Sequence, residues 1–498
     1  MIRSLTVISA LLAGLPFAAV GGAAAPPLPS AVAAEQPAAV PAPEPSPLPA
    51  PGAGGSGPAT APTPAAPTAT APAPAPATPT APAPAATAPT APAPTAPAPA
   101  PRSAPARVRV PAAARPAKPR RGRPVRAVRR RVVFRITGAG FGHGVGMSQY
   151  GAYGAALAGW DADRILRYYY RGADVTPAGG AQVRVLLGIR RPRGVLALSS
   201  GGAWEAVADG PVPGTALPLA AGTAYSARAA ADGVALGAPD GTPVGTFPIG
   251  VLLRPAAPAD PGQQIVVGGR AYRGAIRLLP GPGGLQVVNV IDLEQYLGGV
   301  VAQEMPASWG DSAPAALRAQ AIAARTYSLA SLRPTQPFDM YDDTRSQVYG
   351  GVAAEDPRAL AAVADTAGQV VTYAGKLITA FYFSTSGGHT EDGSNVFPST
   401  TPMPYLVGVP DPFDGLSPLH RWTPRTVTAA WLGRALGVGG PVAQFKVLRR
   451  GASPRVMSAL VVTAAGAREE VTGAQVRRAL KLPDTWFSMK RTLLPPAR

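Results

Sequence analysis

Residues 34–101 consist almost wholly of Ala, Pro and Thr, with near-repeats of Thr-Ala-Pro-Ala-Pro, and this run decides where the chain can fold. Its side chains are too small to bury a core, and its prolines hold the backbone extended as a semi-rigid, disordered spacer. The 62 Pro and 57 Gly in 498 residues fit a chain that is only partly globular. Ahead of the spacer, a charged start (Met1-Ile2-Arg3), an apolar stretch from Leu5 to Val20 and small residues from Gly21 to Ala25 read as a secretory signal peptide over 1–33. Cleavage after Ala23-Ala24-Ala25 or after Ala31-Val32-Ala33 are both open. The alternative is an uncleaved anchor, although an apolar stretch of about 16 residues broken by Pro16 is shorter than the roughly 20 of a spanning helix. The expected location is therefore secreted, in the cell wall or envelope, or tethered there.

Charge is distributed unevenly. Residues 102–131 hold 11 Arg and one Lys with no acid, out of a net +19. Such an arm expects an anionic partner, a wall polymer or a lipid surface. It has no aromatic residue to stack a base and follows an export signal, which argues against nucleic acid. The chain has no Cys, so disulfides and thiolate metal sites are excluded.

From residue 132 the composition is that of a folded domain, expected to run to 490. Its centre is the stretch from Leu293 to Leu332. There Glu304 stands between an apolar run (Val300, Val301) and a turn (Met305 to Gly310), ahead of an Ala-rich helix expected over 313–332. Ser312 is expected to cap that helix and Pro314 to fit its first turn. A carboxyl beside apolar groups is held protonated, because burial disfavours the charge. That is what a general acid needs.

Other segments offer polar groups. The glycines at 138, 140, 142, 144 and 146 have a period of two, so an extended strand would put all five on one bare face. That face reads equally as tight strand packing with His143 in the core or as a groove for a sugar ring. Gln149 follows it. Asp161 to Tyr170 reads as a capped helix, and 181–290 as a β-rich accessory region with hairpins. Phe338 to Gly351 is turn-like and carries Gln347 and Tyr349. The run Ile378–Phe383 reads as a strand that ends in Ser384-Thr385-Ser386-Gly387-Gly388-His389-Thr390. His389 and His420 with Asp411 or Asp414 fit no metal-binding spacing.

Several motifs together resemble the stage II sporulation protein D family, which includes the amidase-enhancer proteins. They are Gly-x-Gly-His-Gly-Val-Gly-Met-Ser-Gln-Tyr-Gly-Ala (140–152), Leu-Glu-x-Tyr-Leu-x-Gly-Val-Val (293–301), Glu-Met-Pro (304–306), Leu-Arg-Ala-Gln-Ala-Ile-Ala-Ala-Arg-Thr-Tyr (317–327), Gln-Val-Tyr-Gly-Gly (347–351) and Ser-Thr-Ser-Gly-Gly-x-Thr (384–390). The Gly-His-Gly-Val-Gly-Met segment comes first here, whereas in the familiar sporulation proteins it lies near the C-terminal end. The resemblance implies a lytic transglycosylase of peptidoglycan, with Glu304 as catalytic acid and base and Arg325 as its companion. Arg325 is expected to orient an acidic or amide group of the sugar or to steady the ionised Glu304, offset from direct pairing in the free enzyme. Glu294 is expected to be structural. The enhancer branch implies the alternative, a non-catalytic wall-binding protein that stimulates an amidase. Some members bind zinc before the position of Gln347, but Asp339-Met-Tyr-Asp-Asp-Thr-Arg-Ser346 lacks the ligands, so no metal or other cofactor is expected.

The expected fold class is α+β: a mixed, β-rich catalytic domain with the Ala-rich helix beside the active site. The candidate catalytic residues are Glu304 and Arg325. The candidate substrate contacts are His143, Gln149, Gln347, Tyr349 and Ser386.

Overall fold

A computed structural model of the protein describes residues 131–495 apart from 190–193, 211–213, 215, 257–261 and 398–401. The signal peptide, the spacer and all of the basic arm except Arg131 lie outside the described residues. Among the described residues there are eight α-helices and twenty-four strands in six sheets, and the strand pairs are antiparallel except for two short parallel ones. This is an α+β chain. Alternating βαβ units would have made the larger sheets parallel.

The region 181–290 supplies most of the two large sheets. The seven-stranded sheet has Gly284–Asp292 near one end, paired with Gln182–Leu186 on one side and Ala275–Gly281 on the other. The six-stranded sheet is built around Tyr225–Ala230 and Leu196–Ser200. Alternation along the strands places Val183 and Val185, or Ile276 and Leu278, in a single core that they share with the helices.

Five helices matter for the site: α1 (Gln149–Leu157), α2 (Ala162–Tyr169), α3 (Leu293–Glu304), α4 (Pro314–Ala330) and α5 (Pro357–Asp365). Strand Gly284–Asp292 runs directly into α3, because Asp292 caps it by accepting from the backbone N–H groups of Glu294 and Gln295. Leu293, Tyr296, Leu297, Val300 and Val301 form its buried face. Helix α4 begins with Pro314 in its first turn and is buried along most of its length; its alanines let α1, α2, α3 and α5 pack against it. The expected Ser312 cap is not made: Ala313 holds the N-cap position without a side-chain bond, and the Ser312 hydroxyl meets that of Tyr153 at 3.5 Å.

The first described strand, Arg131–Gly138, closes against the last, Phe487–Leu494, and against Arg425–Thr428. With the sheet Val442–Thr472 and two helices they surround a second, separate core that includes Phe134, Ile136, Leu432 and Phe487.

The glycine run corrects the expectation of an extended strand with one bare face. The strand stops at Gly138, and Gly140, Gly142, Gly144 and Gly146 all have positive φ. A Cβ on Gly146 would lie 2.0 Å from the Phe381 carbonyl oxygen, and one on Gly144 2.4 Å from the Arg455 guanidinium. The glycines therefore admit a coiled backbone into close contact with four other segments, and the single bare strand face is not formed. The Ile378–Phe383 run likewise pairs only at Tyr382–Phe383, with Met147–Ser148.

Candidate active site

Glu304 is the last residue of α3 and is partly exposed, so a ligand atom can reach it. Burial pushes its carboxyl up to about 7, against the pull of the Val348 backbone N–H, which donates to Oε1 at 2.7 Å. Gln149, at the start of α1, and Tyr382, on the short strand, also hydrogen-bond it. The hydroxyls of Tyr296, Tyr327 and Tyr382 are raised by burial and by the neighbouring Glu304 charge.

The polarity of these bonds can be followed from a fixed end. Ser328 gives its hydroxyl proton to the Ala324 carbonyl at 2.8 Å, so its oxygen accepts from Gln347 Nε2 at 2.8 Å. Gln347 Oε1 is then the acceptor for the Tyr382 hydroxyl, at 2.8 Å. A hydroxyl has one proton. As a donor to Glu304, Tyr382 would favour ionisation, but its proton is committed to Gln347. Toward Glu304 its oxygen accepts, which favours the protonated acid.

The other candidates separate into two groups. Gln149 and Gln347 come to Glu304, although both are buried: Gln347 holds Tyr382 in place, and Gln149 reaches Gln320 at 3.5 Å. The remaining four go elsewhere: Arg325 is offset from Glu304, as expected, but is bound away from the site, and His143, Tyr349 and Ser386 are held in other contacts. Arg325 is buried and donates to Glu294 from Nε (2.7 Å) and Nη2 (2.6 Å), and to the carbonyls of Gln369 and Val363. Glu294 begins α3 and Glu304 ends it, roughly 15 Å apart at helical rise. Arg325 therefore pins the far end of the helix.

His143 lies among Phe381, Phe383 and Phe397, and burial together with the Arg477 charge pushes it down to about 3. Since Val145 N–H donates to Nδ1, the proton is on Nε2 and goes to the Tyr382 carbonyl at 3.1 Å. His143 thus braces the backbone behind Tyr382. The Tyr349 ring is buried against Tyr296 and its hydroxyl donates to Asn289 at 2.8 Å, which makes it a core residue. Ser386 is buried in the Gly-Gly turn, where its oxygen accepts from Gly388 N–H and the side chain bonds Asp411.

Sequence reasoning missed Tyr382 and Ser328 because both sit in segments whose periodicity speaks only of strand and helix. It also missed an aromatic group. Trp309, in the 3₁₀ turn Ala307–Asp311 that follows Glu304, stacks on Tyr153 at 4.2 Å and meets Tyr150 edge-on at 4.9 Å.

The sequence profile described as "Stage II sporulation protein" matches residues 282–373, which include Glu304 and the Gln347 loop. Stage II sporulation protein D of Bacillus subtilis (strain 168) is 35% identical over 225 residues, 41% of this chain and 62% of that protein. Over this region the chain is similar to SpoIID-family proteins. The Bacillus amyloliquefaciens SpoIID protein is 34% identical over 224 residues, again 62% of its length. The "Amidase enhancer" of B. subtilis is 43% identical over 127 residues, 26% of this chain and 16% of the enhancer. The chain thus spans less than two thirds of these SpoIID relatives. The glycine run at 140–146 and the Ser-Gly-Gly turn lie outside the profile match.

Proposed function

We propose that this chain is an exported envelope protein that cuts peptidoglycan glycan strands as a lytic transglycosylase, with Glu304 as the single acid and base. The observation that carries the reading is a partly exposed carboxyl raised to about 7 and held by a directed set of hydrogen bonds. A group with that value is protonated often enough to donate and ionised often enough to accept near neutral pH. In the first step Glu304 gives its proton to the oxygen that links MurNAc C1 to GlcNAc. In the second the carboxylate takes the proton of the muramyl C6 hydroxyl, whose oxygen closes on C1. The products are a 1,6-anhydro-MurNAc end and a free GlcNAc hydroxyl, with no water consumed. A second carboxylate at 5–10 Å, as hydrolytic glycosidases use, is not required. Trp309, partly exposed in the turn that follows the acid, offers an aromatic ring to a sugar in this reading.

In this reading residues 1–33 direct export, 34–101 give reach, 102–131 hold an anionic wall polymer or lipid, and 132–490 form the working domain with 181–290 as scaffold. Similarity to the amidase enhancer favours a second reading, a non-catalytic peptidoglycan binder that stimulates an N-acetylmuramoyl-L-alanine amidase. Digestion of purified glycan strands, with and without stem peptides, separates the two. Anhydro-ended products seen by mass spectrometry and abolished in Glu304→Gln support cleavage. No products from either substrate, with amidase stimulation retained in Glu304→Gln, would establish the enhancer.

A further inference from the structure

The charge of the folded region is divided between its two cores. Residues 139–424, which carry Glu304, have 19 Lys and Arg against 22 Asp and Glu, a net −3. Residues 132–138 and 425–495, the segments around the second core, have 13 against 3, a net +10. One of those three acids, Asp484, is buried in a pair with Arg455.

The register of the three-stranded sheet shows where part of this excess is displayed. Phe134 and Ile136 face the second core, so Arg131, Val133, Arg135 and Thr137 lie on the other face, where Val133 is buried and Arg131 and Arg135 are exposed. Arg135 stands opposite Lys490 on one neighbouring strand and Thr426 on the other. The next outward pairs along the Lys490 strand bring up Thr492 and Ser488. Arg135, Lys490, Thr426, Thr492 and Ser488 are all exposed. Two like charges directly opposite each other destabilise a sheet. Among the described residues neither cation has an acidic side chain in ion-pair contact, and no acid occupies this face.

We propose that this face is a binding site for a flexible phosphodiester polymer, whose phosphates bridge Arg135 and Lys490 while the flanking hydroxyls bond phosphate or polyol oxygens. Three observations select that ligand. The charge complements it. The face has no aromatic ring to stack a base. Its apolar side chains are Leu494, opposite Arg131 at the end, and the buried Val133, too few exposed for insertion into a bilayer. In sequence, the 11 cations of residues 102–130 immediately precede the first strand of this face. The proposal is independent of whether Glu304 cuts glycan.

The test is binding of synthetic poly(glycerol phosphate) to the full chain, measured from about 20 to 200 mM salt. The full chain is compared with the double variant Arg135→Gln/Lys490→Gln and with the charge-keeping Arg135→Lys/Lys490→Arg. The Gln pair should weaken binding by about tenfold at 100 mM salt and lower the slope of log K against log salt by about 1.4, while the charge-keeping pair leaves both unchanged. Equal affinity and slope for the Gln pair would assign all binding to the arm and overturn the proposal. Binding to phosphatidylglycerol vesicles but not to the polymer would overturn it in favour of a membrane site. Both variants alter exposed side chains only, and unchanged thermal unfolding confirms that they are folded.

Discussion

Arg325 donates to both carboxylate oxygens of Glu294, and this pair fastens α4 to the first turn of α3, away from the acid. Removing the guanidinium leaves two backbone carbonyls and a half-buried carboxylate without their donor. Arg325→Ala should therefore cost about 3 kcal/mol in a denaturant melt, and Arg325→Lys less, because one ammonium cannot make both contacts. Below its unfolding transition the Lys variant should keep most of the glycan cleavage proposed for the parent. An Arg325→Lys protein with an unchanged melt and activity lost a hundredfold would return Arg325 to the catalytic site.

Glu304 makes stability depend on pH in a definite direction. Its folded value of about 7 lies above the ordinary 4.5, so the native state binds the extra proton between these limits. Stability from this group is fully present below about pH 4.5 and is lost as the pH rises through 7. Gln keeps the shape and has no charge to bury. Glu304→Gln should match the parent at pH 4 and exceed it by about 2–3 kcal/mol at pH 8. Equal stabilities at pH 8 would mean that the carboxyl is solvated and not raised.

Under the proposed function, the same value sets the pH dependence of glycan cleavage. A mechanism that starts from the protonated acid should give a kcat/KM that is level at low pH and declines above about 7. Tyr382→Phe removes the oxygen that accepts from the protonated carboxyl. The decline should then move to lower pH, by up to about one unit, with stability reduced by about 1–2 kcal/mol because Gln347 Oε1 loses its donor. A shift to higher pH would show that Tyr382 donates to Glu304.

These relationships differ in how far the sequence exposes them. Glu304 at the edge of an apolar run, Pro314 in a first turn and the Ala-rich α4 are local features, and local spacing finds them. The partner of Arg325 is not local. Helical spacing puts it on one face with Ile322 and Leu329, but whether it meets residue 294 or 304 depends on how α3 crosses α4. The glycine run misled for a related reason: a period of two implies a strand only where φ is negative, and the close backbone neighbours that demand Gly144 and Gly146 come from residues 381 and 455. Tyr349 and Ser386 read in sequence as polar groups on turns, yet both side chains are buried against other segments.

Trp309 is the remaining lever on the site, and it separates binding from chemistry. Its ring, five residues after the acid in sequence, is positioned by Tyr153 and Tyr150, and under the proposed function a sugar of the glycan strand stacks on it. Stacking on a held aromatic is worth about 1 kcal/mol beyond the buried area. Trp309→Ala should raise KM for glycan strands by about tenfold and change kcat little, and Trp309→Phe should restore most of the loss. In the inactive Glu304→Gln background the same substitution should weaken glycan binding by a similar factor in calorimetry. If instead Trp309→Ala lowers kcat and leaves binding intact, the ring acts by packing the turn that carries Glu304, and the sugar lies elsewhere.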